Sequence, residues 1–299
     1  MVESSTNGLV PIRPRLWRWI LGTLLILFFW TLLGAILTAA LAQLFGLDLR
    51  SLTGTDAQSR STLATYPAWQ SASAILISFA PLLVTTLLAY RVILGQPTME
   101  LFSLSLRIEP RRVARGAGVM AFLLVITSLP DLVIHRSDYA FTFNLAQFLP
   151  YLLVAIILIP MQTTAEEVFY RGWIQRWLDN GRRSIWLVSI ANGLLFSLPH
   201  LANPEVNGQL ALAIVGYGAT GFMFSWVTFR DRSMEVALGA HAANNILAGL
   251  VVTSADSALP ASSIWTTPAV TWGPAAIVSV LIAPIFIWLT RKPAATVAA

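Results

Sequence analysis

The sequence predicts an all-α polytopic membrane protein with about eight transmembrane helices. Of its 299 residues, 56% are hydrophobic and only 11% are charged, whereas about 25% of the residues in an average soluble domain are charged. Seven stretches of 20 or more residues contain no Asp, Glu, Lys or Arg. A helix needs roughly 20 apolar residues to cross a bilayer core. Most basic residues lie in the segments between these stretches, as the orientation of membrane proteins requires.

The eight spans follow the apolar stretches in order. They are placed at 19–43, 69–92, 113–134, 147–177, 184–203, 208–229, 233–253 and 273–290. The third has the shortest charge-free run, 116–130. The connections 48–68 and 254–272 are rich in Ser, Thr, Ala and Pro, which indicates solvated loops. The whole chain, 1–299, is expected to form a single integral membrane domain.

The basic residues predict the orientation of these spans. If the chain begins on the cytoplasmic side, Arg50, Arg60 and Arg136 lie outside, which leaves sixteen of the nineteen basic residues inside. The sixteen are Arg13, Arg15, Arg18, Arg91, Arg107, Arg111, Arg112, Arg115, Arg171, Arg176, Arg182, Arg183, Arg230, Arg232, Arg291 and Lys292. This positive-inside bias predicts that both termini are cytoplasmic. We expect an uncleaved first span and a bacterial plasma membrane, although an endoplasmic reticulum protein would show the same bias.

Composition also limits the partners and the chemistry of the protein. The chain has no cysteine, which excludes a disulfide-stapled secreted domain and any site built on thiolates. Its net charge is +5, but basic residues beside apolar spans indicate contact with lipid headgroups. Membrane lipids are therefore expected partners, and nucleic acid is not.

Three of the predicted spans carry polar side chains that a bilayer disfavours. A charged side chain at the centre of a membrane helix costs roughly 2.5–3.5 kcal/mol on insertion scales, so each is a candidate for a functional site. The candidates are Glu166, Glu167 and Arg171 in the fourth span, His200 in the fifth, and His241 and Asn245 in the seventh. Because three apolar helices each contribute to one set, we interpret the set as a single active-site cavity inside the helix bundle.

Helical spacing predicts how these groups are directed. Glu167 and Arg171 are four residues apart, so they lie on one face and can form an ion pair. Glu166 is rotated by about 100° from Glu167 and is free to point elsewhere. His241 and Asn245 are also four residues apart and present two hydrogen-bonding groups to the same cavity.

The set is suited to the hydrolysis of an amide by an activated water molecule. A carboxylate in a low-dielectric cavity is a competent general base, and a neutral histidine can help to hold the water. A second histidine and an asparagine can donate hydrogen bonds to the oxygen that becomes negative during attack. No cysteine is present and no serine lies in a nucleophile motif, so a covalent acyl-enzyme is not expected.

A zinc ion is the competing account of the same residues. Glu166, His200 and His241 could supply a Glu/His₂ ligand set with one open position. The motif HExxH is absent, so no local spacing demands zinc. We favour the version that requires no cofactor, and the zinc alternative stays open.

A glycine-rich motif in the sixth span has a structural interpretation. The segment Gly216-Tyr217-Gly218-Ala219-Thr220-Gly221 matches GxGxxG, the fingerprint of dinucleotide-binding folds. It lies inside an apolar span with no strand before it, so that reading fails in context. Small residues in a membrane helix predict close packing against a neighbouring helix.

The polar segments together resemble the CPBP family of intramembrane proteases. This family includes the type II CAAX prenyl endopeptidases, or Ras-converting enzymes, and bacterial proteins linked to bacteriocin self-immunity. Its motifs EExxxR, FxxxH and HxxxN/D read here Glu166-Glu167-x-x-x-Arg171, Phe196-x-x-x-His200 and His241-x-x-x-Asn245, in the same order and on separate helices. The resemblance covers about 160–250, within a predicted catalytic core at 147–253.

The resemblance implies an endopeptidase that cuts near the C-terminus of a lipidated or membrane-anchored substrate. It implies that Glu166, with His200, activates water in a cavity reached from the cytosol, and that His241 and Asn245 hold the oxyanion. Glu167 and Arg171 would support the site or bind the carboxyl end of the substrate. The family has been described both as metalloproteases and as metal-free glutamate proteases.

Two other classes remain open at this stage. A proton-coupled transporter or channel could use Glu166, Glu167 and His200 as a proton relay, but such proteins often contain inverted repeats and paired broken helices, and the sequence shows neither. A non-catalytic immunity or binding protein could use the same scaffold.

Overall fold

The computed structural model describes residues 14–179 and 183–291. Three of the basic residues assigned to the cytoplasmic side, Arg13, Arg182 and Lys292, lie outside the described residues. So do both chain termini, whose cytoplasmic location therefore stays a prediction.

The described chain is almost entirely helical. The helices are α1 (Leu16–Phe45), α2 (Leu49–Thr53), α3 (Ala57–Leu63), α4 (Ala68–Leu76), α5 (Ala80–Val92), α6 (Met99–Phe102), α7 (Pro110–Ile134), α8 (Leu145–Glu167), α9 (Gln175–Asp179), α10 (Ile185–His200), α11 (Leu210–Asp231), α12 (Glu235–Leu250) and α13 (Trp272–Leu289). Short 3₁₀ segments lie at Ile77–Phe79, Arg136–Asp138 and Pro204–Val206, and a π-helical segment lies at Val168–Ile174. This composition confirms the predicted fold class.

Within the described ranges, six helices are long and apolar enough to cross a membrane. They are Leu16–Phe45, Ala68–Val92, Pro110–Ile134, Leu145–Asp179, Leu210–Asp231 and Trp272–Leu289. The run at 116–130, the shortest in the sequence, thus belongs to a 25-residue helix. The spans predicted at 184–203 and 233–253 are helices of 16 residues each, α10 and α12. The six long helices support a polytopic membrane protein but do not establish the number eight.

Glycines set the closest helix contacts. A Cβ atom at Gly221 of α11 would lie 3.0 Å from the Cα of Gly193 in α10, and one at Gly216 would lie 3.0 Å from the ring of Trp272. A Cβ at Gly239 of α12 would overlap the carbonyl oxygen of Val113 in α7. The prediction that the GxGxxG segment serves helix packing is confirmed, since the segment lies within α11.

Two loop predictions need correction. The connection 48–68 contains the short helices α2 and α3, which begin at the capping side chains Asp48 and Asp56. A small mixed sheet joins β1 (Ala140–Phe141), β3 (Trp265–Thr267) and β2 (Val252–Ser254) in that order. Composition alone does not distinguish such short ordered elements from a solvated loop.

Buried ion pairs hold the beginning of α12 in place. The Arg112 guanidinium of α7 lies 2.7 Å from Asp231 and 3.0 Å from Glu235. Glu235 also accepts hydrogen bonds from the backbone N–H of Glu109 at 2.6 Å and from the Ser233 hydroxyl at 2.7 Å. These contacts fix the start of the helix that carries His241.

The apolar core contains two large clusters, and the π-helical segment belongs to the first. The first packs α1, α5 and the segment itself around Trp19, Tyr90 and Trp173. The second packs α7, α11, α12 and α13 around Phe224 and Phe286. The polar residues predicted from the sequence lie where these clusters approach each other.

Candidate active site

The charged residues of the fourth predicted span lie where the helix changes from α-helical to π-helical geometry. Glu166 and Glu167 end α8, and Arg171 lies in the π-helical segment that follows without a break. The Tyr170 carbonyl in this segment accepts a hydrogen bond from the backbone N–H of Gln175 and also one from the Asn192 amide of α10 at 2.8 Å. Such π-helical turns inside α-helices often occur at functional sites.

Arg171 and Glu167 form the ion pair that the spacing predicted. Arg171 Nη1 lies 3.1 Å from Glu167 Oε1, and both side chains are fully buried. Arg171 Nη2 also donates to the Gly221 carbonyl at 3.2 Å. The guanidinium carbon lies 4.5 Å from the Phe196 ring centroid and 5.4 Å from that of Phe224. A buried arginine therefore has an opposite charge, a carbonyl and two aromatic faces as partners.

This burial distinguishes two of the basic residues from the loop charges. Arg171 and Arg176 were both assigned to the cytoplasmic side, yet both side chains are buried within the helix bundle. Arg176 donates to the Glu100 backbone carbonyl. Neither residue is a loop charge, so neither bears on the positive-inside rule.

His241 lies between the two glutamates. Its Nδ1 is 2.8 Å from Glu167 Oε1, and its Nε2 is 3.4 Å from Glu166 Oε2. The sequence left Glu166 free to point elsewhere. The rotation of about 100° between neighbours instead brings the two carboxylates to opposite nitrogens of one ring. The ring also stacks on Phe224, with centroids 5.2 Å apart.

The geometry restricts where protons lie in this cluster. A carboxylate accepts hydrogen bonds, so His241 Nδ1 carries a hydrogen that it donates to Glu167. His241 Nε2 and Glu166 Oε2 face each other at 3.4 Å without forming a hydrogen bond, and within the described residues Glu166 Oε2 has no hydrogen-bond partner.

His200 lies near the cluster but is not hydrogen-bonded to Glu166 among the contacts of residues 14–179 and 183–291. It ends α10, and its Nδ1 donates to the Phe196 carbonyl at 2.8 Å. A carbonyl only accepts, so a neutral His200 keeps its lone pair on Nε2. Its ring lies 4.6 Å from Phe196 and 4.5 Å from Tyr217, by centroids. Phe196 also contacts His241 at 5.8 Å and so links the two histidines.

Asn245 pairs with a residue that the sequence analysis missed. Its Nδ2 lies 3.3 Å from the Oε1 of Gln162 in α8, and its Oδ1 accepts from the Asn244 amide at 3.0 Å. Gln162 is uncharged, so a search for ionisable groups in apolar spans passes over it. Its position four residues before Glu166 was the available signal, because that spacing places both on one helix face.

Tyr217 and Glu205 were also missed. The Tyr217 hydroxyl donates to Glu205 Oε1 at 2.9 Å, and Glu205 Oε2 accepts from the backbone N–H of Ala258 at 2.8 Å. Asn203 donates to Glu205 Oε1 at 3.0 Å. These bonds join the loop after α10, the loop that contains Ala258, and α11, which carries the Tyr217 ring beside His200. Neither residue matched a motif, and only the tertiary contacts connect them to the site.

The cluster is not fully satisfied by hydrogen bonds. Glu167 Oε2 and Arg171 Nε are buried and have no hydrogen-bond partner within the described protein. Most buried polar atoms in native proteins have such a partner, and exceptions are associated with redox or catalytic roles among others. The unsatisfied atoms therefore agree with a catalytic site.

The zinc ligands named from the sequence do not converge. Among the residues described, no group of three or more His, Asp and Glu side chains is placed to hold a metal ion. The two ring nitrogens of His241 face carboxylates, and His200 uses Nδ1 on its own helix. We derive no step through a metal from this arrangement.

The fold and the cluster define an integral membrane protein with a buried glutamate–histidine site. Residues 145–247 match the family model described as type II CAAX prenyl endopeptidase Rce1-like. The matched segment holds all six predicted site residues, and the match confirms the resemblance seen in the sequence.

A curated protein and the known structures complete the comparison. The chain is 34% identical over 171 residues to the uncharacterized protein YyaK of Bacillus subtilis (strain 168). That match covers 57% of this chain and 57% of the length of YyaK. No solved structure matches the chain.

Proposed function

We propose that the protein is an intramembrane endopeptidase that cleaves a peptide bond near the C-terminus of a lipidated or membrane-anchored substrate. The observation that carries the proposal is the contact between Glu166 and His241 inside the helix bundle, at 3.4 Å, within the segment that matches the Rce1-like family model. The apolar surroundings suit a substrate that arrives through the bilayer, and peptide hydrolysis agrees with the family that this segment matches.

Glu166 acts as the general base in the proposed reaction. It takes a proton from a water molecule as the water oxygen forms a bond to the scissile carbonyl carbon. The same proton then passes to the amide nitrogen as the C–N bond breaks, which yields a carboxylic acid and an amine. His200 helps to orient the water through the lone pair on Nε2.

The remaining residues hold the base and the oxyanion. His241 orients Glu166, because both of its ring nitrogens face carboxylates and neither is left for the oxyanion contact that the resemblance implies. Arg171 balances the charge of Glu167, which in turn fixes His241. Asn245 donates a hydrogen bond to the carbonyl oxygen as it becomes negative.

Cleavage of a lipidated CAAX reporter peptide by the purified full chain tests the proposal. Glu166→Gln removes the base at constant size and is expected to abolish cleavage. Glu109→Gln is the matched control, because the Glu109 side chain is exposed outside the cluster, and it should cleave at the wild-type rate.

Two further measurements distinguish the metal-free mechanism from the zinc mechanism, and a lipidated substrate from a soluble one. Cleavage that persists in a strong chelator supports water activation without metal, and cleavage lost in the chelator supports the zinc account. A soluble peptide without lipid should be cleaved more slowly than the lipidated one. If no form cleaves either peptide, the endopeptidase proposal is wrong and a non-catalytic binding protein becomes the better account.

A further inference from the structure

Gln162 ends a directional chain of amide hydrogen bonds beside Glu166. The Asn244 amide donates to Asn245 Oδ1 at 3.0 Å, and Asn245 Nδ2 donates to Gln162 Oε1 at 3.3 Å. Within the part of the chain that the structure describes, Gln162 Nε2 donates to no protein acceptor. The last member of the chain is therefore a pair of N–H groups available to a ligand.

The position of Gln162 suits a carbonyl under attack by water. Its side chain is only 7% exposed, and it lies one helical turn before Glu166 in α8. Four residues of helix advance about 6 Å along the axis. A water molecule held by Glu166 and a carbonyl group bound by Gln162 fit within that separation.

Apart from Arg171 Nε, the other side-chain donors of His241 and Arg171 already face partners among the described residues. His241 directs both ring nitrogens to carboxylates, and Arg171 contacts Glu167 and the Gly221 carbonyl. The amide nitrogens of Gln162 and Asn245 are the neutral donors left on this side of the site. Hydrogen bonds arranged in a chain polarise one another, which strengthens the terminal donor.

We propose that Gln162 Nε2 is a second oxyanion donor, which acts beside Asn245 on the scissile carbonyl oxygen. The proposal rests on the endopeptidase function proposed above and adds a catalytic residue to it. As water attacks, the carbonyl π electrons move to the oxygen, and the Gln162 and Asn245 N–H groups stabilise that negative charge. The charge returns to the C=O bond when the amine leaves.

Gln162→Met tests the role, because methionine keeps the size of the side chain and removes both donor and acceptor. Loss of one oxyanion donor typically lowers kcat by about 100-fold or more. We expect that loss with a KM within about threefold of wild type, since the contact forms in the transition state. Gln175→Met is the matched control: Gln175 is buried in the same continuous helix and bonds to Ser225 at 2.9 and 3.1 Å, away from the cluster.

A double variant separates donation from mere positioning of Asn245. If Gln162 only positions Asn245, then Gln162→Met has no further effect in an Asn245→Ala background. A direct donor predicts a further fall in kcat in that background.

The outcomes keep this inference apart from the proposed function. The inference is overturned if Gln162→Met keeps its kcat, if it loses no more than Gln175→Met, or if its effect vanishes in Asn245→Ala. In each case cleavage by wild type and its loss in Glu166→Gln would leave the endopeptidase intact. If the wild-type protein does not cleave the reporter, both the proposed endopeptidase function and the oxyanion role of Gln162 are rejected.

Discussion

Glu167 is the residue on which the charged contacts of the cluster converge. Its Oε1 atom receives Arg171 Nη1 at 3.1 Å and His241 Nδ1 at 2.8 Å. The pair with Arg171 is fully buried, so removal of either partner leaves a charge without a counterion. Such single removals are far more damaging than replacement of both partners by apolar groups.

Arg171→Ala is therefore expected to lower the free energy of unfolding by about 3–5 kcal/mol. Chemical denaturation of the purified protein in micelles measures this change. Arg111→Ala is the control, because Arg111 is exposed at the start of α7, and it should change the free energy by less than about 0.5 kcal/mol.

The double variant Glu167→Leu with Arg171→Met sharpens this test. It removes both charges, so it should recover much of the stability lost in Arg171→Ala. It should still lack activity, because His241 loses the Glu167 carboxylate that holds its Nδ1. A double variant as unstable as the single one would show that the buried charge is not what destabilises Arg171→Ala.

The sequence predicted this residue-level site in part. The Glu167–Arg171 pair was predictable because it depends only on helical spacing. The contact of Glu166 with His241 was not, because it depends on how α8 and α12 pack. Gln162 was not predicted, because an amide side chain carries no charge that would mark it within an apolar span. Its spacing of four residues from Glu166 is nevertheless visible in the sequence.

Among the elements, α12 depends most on close backbone approach. Gly239 faces the Val113 carbonyl of α7, and Gly116 of α7 faces the Val236 carbonyl of α12. A two-residue shift of α12 would put Ala237 or His241 at the contact in place of Gly239. The position of His241 relative to α8 therefore depends on these glycines.

Gly239→Ala is expected to lower the free energy of unfolding by about 1–3 kcal/mol and to reduce cleavage, because α12 must move away from α7. Gly118→Ala is the control in the same pair of helices, since a Cβ at Gly118 meets nothing within 4 Å. That control should be neutral or more stable by up to about 1 kcal/mol, as alanine favours helix. Equal effects of the two substitutions would contradict the packing argument.

The sequence predicted most elements but not their irregularities. Charge-free runs located the long helices, because a helix is the only solution for an isolated apolar span. The π-helical segment Val168–Ile174 and the three-stranded sheet were not predicted. Both depend on tertiary contacts, such as the bond from Asn192 to Tyr170, that leave no periodic pattern in the chain.

At the scale of the whole molecule, the orientation in the membrane follows from loop charges. Arg107 precedes α7, Arg111 and Arg112 lie in its first turn, and Arg60 lies in α3, between α1 and α4. The positive-inside rule places the first group in the cytoplasm and Arg60 outside. The chain has no cysteine, so single cysteines can be introduced without background labelling.

We expect Ala64→Cys to react with a membrane-impermeant maleimide on intact cells. Ser105→Cys should react only after the membrane is permeabilised. Both positions are exposed, so burial does not account for a difference between them. Labelling of Ser105→Cys alone in intact cells would show that the orientation is reversed.

The central claim is that Glu166 activates water for peptide hydrolysis inside the membrane. Mass spectrometry of a lipidated reporter incubated in H₂¹⁸O with proteoliposomes tests this claim most directly. We predict one ¹⁸O atom in the new carboxylate for each cleavage by wild type, and no labelled product with Glu166→Gln. Labelled product formed at the wild-type rate by Glu166→Gln would contradict the account.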